Sequence, residues 1–224
     1  MPISEVYNCD CVDYMKTIED KFFDLAIVDP PYGINRGGQT ETFTNNPKHK
    51  RKEHKQKDWD KNRPDAEYWQ ELFRISKHQI VWGANYFTGY LPPSMGWVFW
   101  DKGQDLSMSD GELAFTSFEK ALRRVIINRA EIMKDGAIHP TQKPVKLYKW
   151  LLKNYAKQCD KIFDSHMGSQ SSRIAAYKLG FDFWGCELDK EYFDEGCKRF
   201  ERECNGVYEQ KNGEQIIQNK LWHE

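Results

Sequence analysis

Short apolar runs alternate along the chain with stretches whose apolar residues recur at helical spacing. Asp24–Val28 is an apolar run of the kind a parallel sheet buries on both faces. Further strands are predicted at Glu5–Asn8, His78–Trp82, Trp97–Trp100, Glu112–Thr116, Arg123–Asn128, Lys161–Asp164 and Phe181–Glu187. Between them Val12–Ile18, Ala66–Lys77, Ser172–Leu179 and Glu191–Glu203 read as helices. In the second of these, Tyr68, Trp69, Leu72, Phe73 and Ile75 fall on or near one face. Pro144 is placed to occupy the first position of another helix, running to about Lys157. Beyond Asn205 the pattern is weak. Strands and helices in alternation predict an α/β layer fold.

Residues 33–63 break the rhythm. They hold few apolar residues, and within the ten-residue window 48–57 Lys48, Lys50, Arg51, Lys52, Lys55 and Lys57 stand against Glu53 alone. A connection this long is either a solvated flexible loop or a functional arm, here one that contacts phosphates. A second basic cluster is Lys120, Arg123, Arg124 and Arg129. Otherwise the chain is neutral: net charge is −1 over 224 residues, so a nucleic-acid partner requires clustered rather than excess basic residues. The length suits one domain with a full core. No signal segment or membrane-length apolar run is present, so a cytoplasmic location is expected. The cysteines (9, 11, 159, 186, 197 and 204) include no C-x-x-C pair. They are expected to be reduced thiols, and no metal site is expected.

Chemistry concentrates where strands end. Val28 is followed by Asp29-Pro30-Pro31-Tyr32, which offers a carboxylate, a carbonyl with no neighbouring backbone N–H, and an aromatic face. That set suits a planar group bearing N–H donors, such as the exocyclic amine of a nucleobase. Lys161–Asp164 runs into Ser165-His166-Met167-Gly168-Ser169-Gln170-Ser171-Ser172 and then a helix, a strand–turn–helix cradle for a nucleotide-like ligand. The next strand ends at Glu187, an acid placed for ribose hydroxyls. The turn lacks the G-x-G-x-x-G that grips a pyrophosphate. An acidic strand end and a ribose acid therefore favour S-adenosylmethionine, which carries an amine and no phosphate, over a dinucleotide. In His139-Pro140-Thr141-Gln142-Lys143-Pro144, Lys143 beside Thr141 is a candidate for the methionine carboxylate.

Together these segments resemble the DNA amino-methyltransferases that modify adenine N6 or cytosine N4, in the permuted (beta-type) order in which the Asp-Pro-Pro-Tyr loop precedes the cofactor loop. The resemblance implies a Rossmann-like S-adenosylmethionine-dependent methyltransferase fold, a mixed, mostly parallel sheet with helices on both faces. Residues 1–224 would form one methyltransferase domain, 33–63 a basic DNA-contacting loop, and 118–138 a minimal target-recognition region. Asp29, Pro30 and Tyr32 would be catalytic. Asp10, Cys11, Asp29, Thr141, Lys143, Asp164, His166, Gly168, Ser169, Glu187 and Leu188 would bind S-adenosylmethionine, with Asp10 on its adenine. Pro31, Trp82, Tyr86, Lys50, Arg51 and Lys52 would contact double-stranded DNA and the flipped base. Trp97, Phe99 and Trp100 are expected in the core.

Two departures from the family pattern bear on function. Ser165 and His166 replace Pro-Phe in the cofactor turn, and Gln170 replaces its second glycine. Gln170 would crowd the methionine end of the cofactor if the position needs φ > 0. An aspartate opening the tetrapeptide leans toward adenine N6 over cytosine N4 by resemblance. A non-catalytic nucleic-acid-binding module with this fold is the alternative of another class. A homodimer is possible, no nuclease pattern is visible, and a bacterial or phage modification enzyme is the simplest source.

Overall fold

The computed structural model describes residues 1–35, 57–103, 109–128, 138–139, 141–209 and 215–217. Eight strands make one sheet: β1 (Ser4–Tyr7), β2 (Phe23–Val28), β3 (Ser76–Trp82), β4 (Trp97–Asp101), β5 (Gly111–Thr116), β6 (Arg123–Ile126), β7 (Lys161–Asp164) and β8 (Asp182–Cys186). Their order is β1-β8-β7-β2-β3-β5-β4-β6. The five strands from β1 to β3 are parallel, β5 runs against β3 and β4, and β6 is parallel to β4. This is the expected mixed, mostly parallel sheet.

Among the described residues five α-helices accompany it: α1 (Cys11–Lys16), α2 (Ala66–Ile75), α3 (Val145–Tyr155), α4 (Ser171–Leu179) and α5 (Lys190–Phe200). The apolar run of β2 explains how they are layered. Leu25 and Ile27 join one core with α3 and α4; Ala26 and Val28 join the other with α1 and α2. Alternate side chains of a strand point to opposite faces, so a strand covered on both sides must be apolar throughout.

Three predicted boundaries move. The helix expected to reach Lys77 stops at Ile75, and β3 begins at once with Ser76. There the Ser76 hydroxyl donates to the Leu72 carbonyl at 2.5 Å, and Ser76 aligns with Phe23 in the sheet. Pairing with β2 therefore takes residues that periodicity assigned to the helix. Pro144 occupies the cap position in extended backbone (φ −70°, ψ 144°), one residue before the helix proper. The unpatterned tail forms a π-helical turn (Glu201–Asn205) and two short antiparallel strands, β9 (Val207–Glu209) and β10 (Gln215–Ile217).

β7 and β2 are neighbours, but from β7 the chain proceeds to β8 on one side and from β2 to β3 on the other. The strand order reverses between them. A crevice opens at the carboxyl ends of such a pair, the place where open α/β sheets bind ligands.

Candidate active site at the strand ends

Asp29 leaves β2 directly into that crevice. Its carboxylate is held at both oxygens: the Tyr32 hydroxyl donates to Oδ1 at 2.6 Å and Lys143 Nζ to Oδ2 at 2.5 Å. Lys143 is buried, and its ammonium also pairs with Glu112 of β5 at 3.1 Å. Lys102 pairs with the other oxygen of Glu112 at 2.9 Å. Burial pushes the Asp29 carboxyl above the usual range and Lys143 pulls it back down. Burial also raises the Tyr32 phenol, which keeps it a proton donor to Asp29.

The tetrapeptide backbone is fastened from outside. Asp60 Oδ1 accepts from the amides of Tyr32 (2.7 Å) and Gly33 (3.0 Å), and Arg63 donates to the Tyr32 carbonyl at 3.2 Å. The Tyr32 ring stacks on Tyr86 with centroids 4.9 Å apart. It lies so close to Gly83 that a Cβ there would come within 2.1 Å of the ring, and Gly83 has φ +63°. Any other residue at 83 would displace Tyr32 as well as strain the backbone.

Two cavities meet at this loop, of about 470 and 660 Å³. They share Asp29, Pro31, Trp59, Thr141 and Lys143. The first extends over the cofactor turn. All the predicted cofactor residues except Asp164 line it. Asp10 caps α1, accepting from the amides of Val12 (2.7 Å) and Asp13 (3.2 Å). Burial drives the Cys11 thiol up to about 12, so it stays a thiol. Glu187 accepts from the amides of Gly168 at 2.8 Å and Asp189 at 2.9 Å, which fixes its carboxylate at the rim.

Asp164 departs from expectation. It does not line the cavity; its oxygens accept from the Ser172 hydroxyl (2.5 Å) and the His166 amide (3.0 Å), tying the turn beneath the pocket. Burial raises its carboxyl to about 7. His166 does line the cavity, and burial lowers its imidazole to about 4. It is therefore neutral near pH 7 and a weak base. Its Nδ1 lies 2.8 Å from Ser165 Oγ, which lies 2.7 Å from the Tyr68 hydroxyl.

Gln170 does take a left-handed backbone (φ 59°), but its side chain does not crowd the cavity. It turns under the turn toward α5, donating to the Phe193 carbonyl at 3.2 Å and accepting from Arg173 at 2.9 Å. Gly196 makes the room, since a Cβ there would meet Gln170 Cγ at 2.7 Å.

The second cavity holds Pro30, Tyr32 and Tyr86 from the expected set, with Phe99, Lys102 and Glu112. Trp82, expected to line it, is fully buried and packs edge-on against Trp100 in the core. It lies on the buried half of β3, one residue before the chain turns out at Gly83. Trp100 is core as expected, whereas Phe99 faces the cavity. Lys50, Arg51 and Lys52 lie outside the described residues. Lys57, counted among the basic residues of the loop, is used internally: it pairs with Asp189 and Glu191 at 2.8 Å and sits 3.9 Å over the Tyr192 ring.

Trp59, Asp60 and Glu112 were not anticipated. Trp59 packs at 5.1 Å from His139, which packs at 4.3 Å from Tyr192, so these rings wall the first cavity. A tryptophan and aspartate closing a basic run was the available signal. Glu112 had none, because only the sheet order brings it to Asp29. Among the described residues no His, Cys, Asp or Glu group could hold a metal ion, and no helix is long and apolar enough to cross a membrane.

Residues 93–198 match the N6/N4 family model described as DNA methylase. The chain is 20% identical to the type II methyltransferase M1.MboII of Moraxella bovis, over 87% of this chain and 95% of that protein. It is 23% identical to M.HpaI of Haemophilus parainfluenzae, over 88% of this chain and 74% of the relative. Its fold superposes on the crystal structure of the M1.HpyAVI–SAM complex with a TM-score of 0.59 at 18% identity, covering 87% of this chain and 98% of the other. The chain is thus similar to the N6/N4 DNA methylases over residues 93–198 and to type II methyltransferases along most of its length.

Proposed function

We propose that this chain is an S-adenosylmethionine-dependent DNA methyltransferase that modifies adenine N6 of a base flipped from the duplex. The observation that carries this reading is that the two cavities share one wall, with Asp29 on it. One cavity suits a methyl donor and the other a flipped base.

The first cavity fits S-adenosylmethionine by its chemistry. Its acids, Asp10 and Glu187, are held as hydroxyl and amine acceptors, and its turn carries no pyrophosphate fingerprint. Asp10, Cys11, Thr141, His166, Gly168, Ser169, Glu187 and Leu188 would hold it. When bound, it supplies an electrophilic methyl group.

The protein's part is to prepare the nucleophile. An exocyclic amine is a poor one because its lone pair is conjugated with the ring. Asp29 and the Pro30 carbonyl accept its two N–H bonds and favour a tetrahedral nitrogen with a localised lone pair. Positive charge grows on that nitrogen as the methyl moves, and a fixed carboxylate in a desolvated site stabilises it selectively. Tyr32, backed by Tyr86, stacks on the base and recovers about 1–3 kcal/mol of the unstacking cost. His166 lines the pocket as a weak base, and the proton released by the methylated nitrogen leaves to water.

The case for a non-catalytic module rested on Gln170, and its side chain leaves the cavity clear. Between bases, the opening aspartate favours adenine N6, with cytosine N4 as the alternative.

Two measurements test the reading. Calorimetry should detect S-adenosylmethionine binding. Digestion and mass spectrometry of DNA treated with enzyme and cofactor should reveal N6-methyladenine; N4-methylcytosine would change the base, and neither product would refute the activity. Asp29→Ala should abolish the product while cofactor binding persists. Activity retained in that variant would remove Asp29 from the mechanism.

A further inference from the structure

Asp29 belongs to a chain of four charges drawn from separate segments: Asp29 after β2, Lys143 before α3, Glu112 on β5 and Lys102 after β4. Lys143 is only 4% exposed, and an ammonium so buried requires partners. It has two carboxylates, and it bridges them at 2.5 and 3.1 Å. A lysine can do this because its three donors radiate from one nitrogen. Lys143 lines the first cavity, and its ammonium is engaged by these two carboxylates.

We infer that Lys143 and Glu112 are positioning residues for Asp29: Lys143 aims its carboxylate, and Glu112, by sharing Lys143, keeps that carboxylate from being neutralised. The inference rests on the proposed reaction. A carboxylate paired with its own private lysine has little charge left for a nitrogen turning cationic. A lysine divided between two carboxylates is drawn away from each, so Asp29 keeps more of its charge than it would beside a lysine of its own. Lys102 also pairs with Glu112, from its far side. Tyr32 fixes the other Asp29 oxygen, so neither can swing away from the incoming amine.

The neighbouring ionisable groups make the effect measurable. Asp29 is faced by Lys143 and Glu112, by Tyr32 on its own loop, by Asp164 of β7, and by Tyr68 of α2 and Tyr148 of α3. Burial raises Asp29, Lys143 lowers it and Glu112 raises it. Removing Lys143 and removing Glu112 must therefore move Asp29 in opposite directions. A purely structural role for either residue predicts no such opposition.

The experiment is a pH titration by carbon-13 NMR of the full chain labelled at aspartate carboxyls, the Asp29 signal being assigned from its loss in Asp29→Asn. Lys143→Met should raise the Asp29 titration midpoint by about one to three pH units, and Glu112→Gln should lower it by about one. The acid limb of kcat for DNA methylation should follow in each variant. Because breaking a buried pair can prevent folding, Glu112→Gln, an isosteric change, decides the matter alone if Lys143→Met is not recovered. An unmoved or raised midpoint in Glu112→Gln overturns the inference. So does Lys143→Met if it weakens S-adenosylmethionine binding and leaves the midpoint in place. A wild-type protein that methylates no DNA would sink the proposed function instead, and the NMR titration would still decide the roles of Lys143 and Glu112.

Discussion

Gln170 occupies a left-handed backbone position that glycine would fill without strain, and its side chain is accommodated by an absence, that of a Cβ on Gly196. Gly196→Ala should therefore cost about 1–3 kcal/mol in urea denaturation, the usual penalty for overpacking, and weaken cofactor binding. In a Gln170→Gly background the same change should cost almost nothing; a full penalty there would disprove the coupling. The turn also carries two opposed titrations. Asp164, raised to about 7, contributes stability that is complete below about pH 4 and lost as pH rises through 7. His166, lowered to about 4, contributes stability that is complete above about pH 6.5 and lost as pH falls through 4. The two offset each other across the same window. Asp164→Asn leaves the histidine unopposed, so relative to wild type its stability should fall steadily from pH 6.5 to 4. A constant difference across that window would contradict the assignment. Placements that depend on a residue's own segment were legible in the sequence: the tetrapeptide, Glu187 and Gly168 line the cavities, each following its strand. Those defined by a distant partner were not. Lys143 was read against Thr141 beside it, but its ammonium is claimed by Asp29 and Glu112.

At the level of elements, periodicity found every strand of the large sheet and all five helices, with ends displaced by a few residues. The α2–β3 junction moved because pairing with β2 outweighs helix propensity, which contributes only tenths of a kcal/mol per residue. β9 and β10 were missed because three residues are too few to show a period. The chief element without a local signature is the strap of residues 57–60. Lys57 fastens it to Asp189, the residue that caps α5 by accepting from the Tyr192 amide at 3.1 Å. Trp59 lays it along both cavities, and Asp60 bolts it to the Asp29–Tyr32 loop. Lys57→Met removes two ion pairs and a cation–π contact at a partly exposed site, together worth about 1–2 kcal/mol. Cofactor dissociation, followed by stopped-flow fluorescence, should then quicken about tenfold; an unchanged rate would make the strap a bystander to cofactor retention.

For the whole molecule, sheet order does what chain order cannot. The tetrapeptide at 29–32 and the cofactor turn at 165–172 are separated by most of the chain, and they meet because β2 and β7 pair. The strap then joins that meeting point to the loop between them. The amide of Asn35 donates to the Asp60 carbonyl at 3.0 Å, just as Tyr32 and Gly33 donate to the Asp60 side chain. The chain entering the stretch 36–56 and the chain leaving it are thus stapled to each other through Asp60. Closing a longer loop between fixed ends adds only about 0.6 kcal/mol per doubling of length. Replacing 36–56 by a short Gly/Ser linker should leave cofactor affinity intact while weakening DNA binding and flattening its salt dependence. An unaltered salt slope would clear the basic residues of any phosphate contact. The stapled ends make this stretch an interchangeable cassette. Its length and sequence can drift while Asp29 and the strap stay where they are.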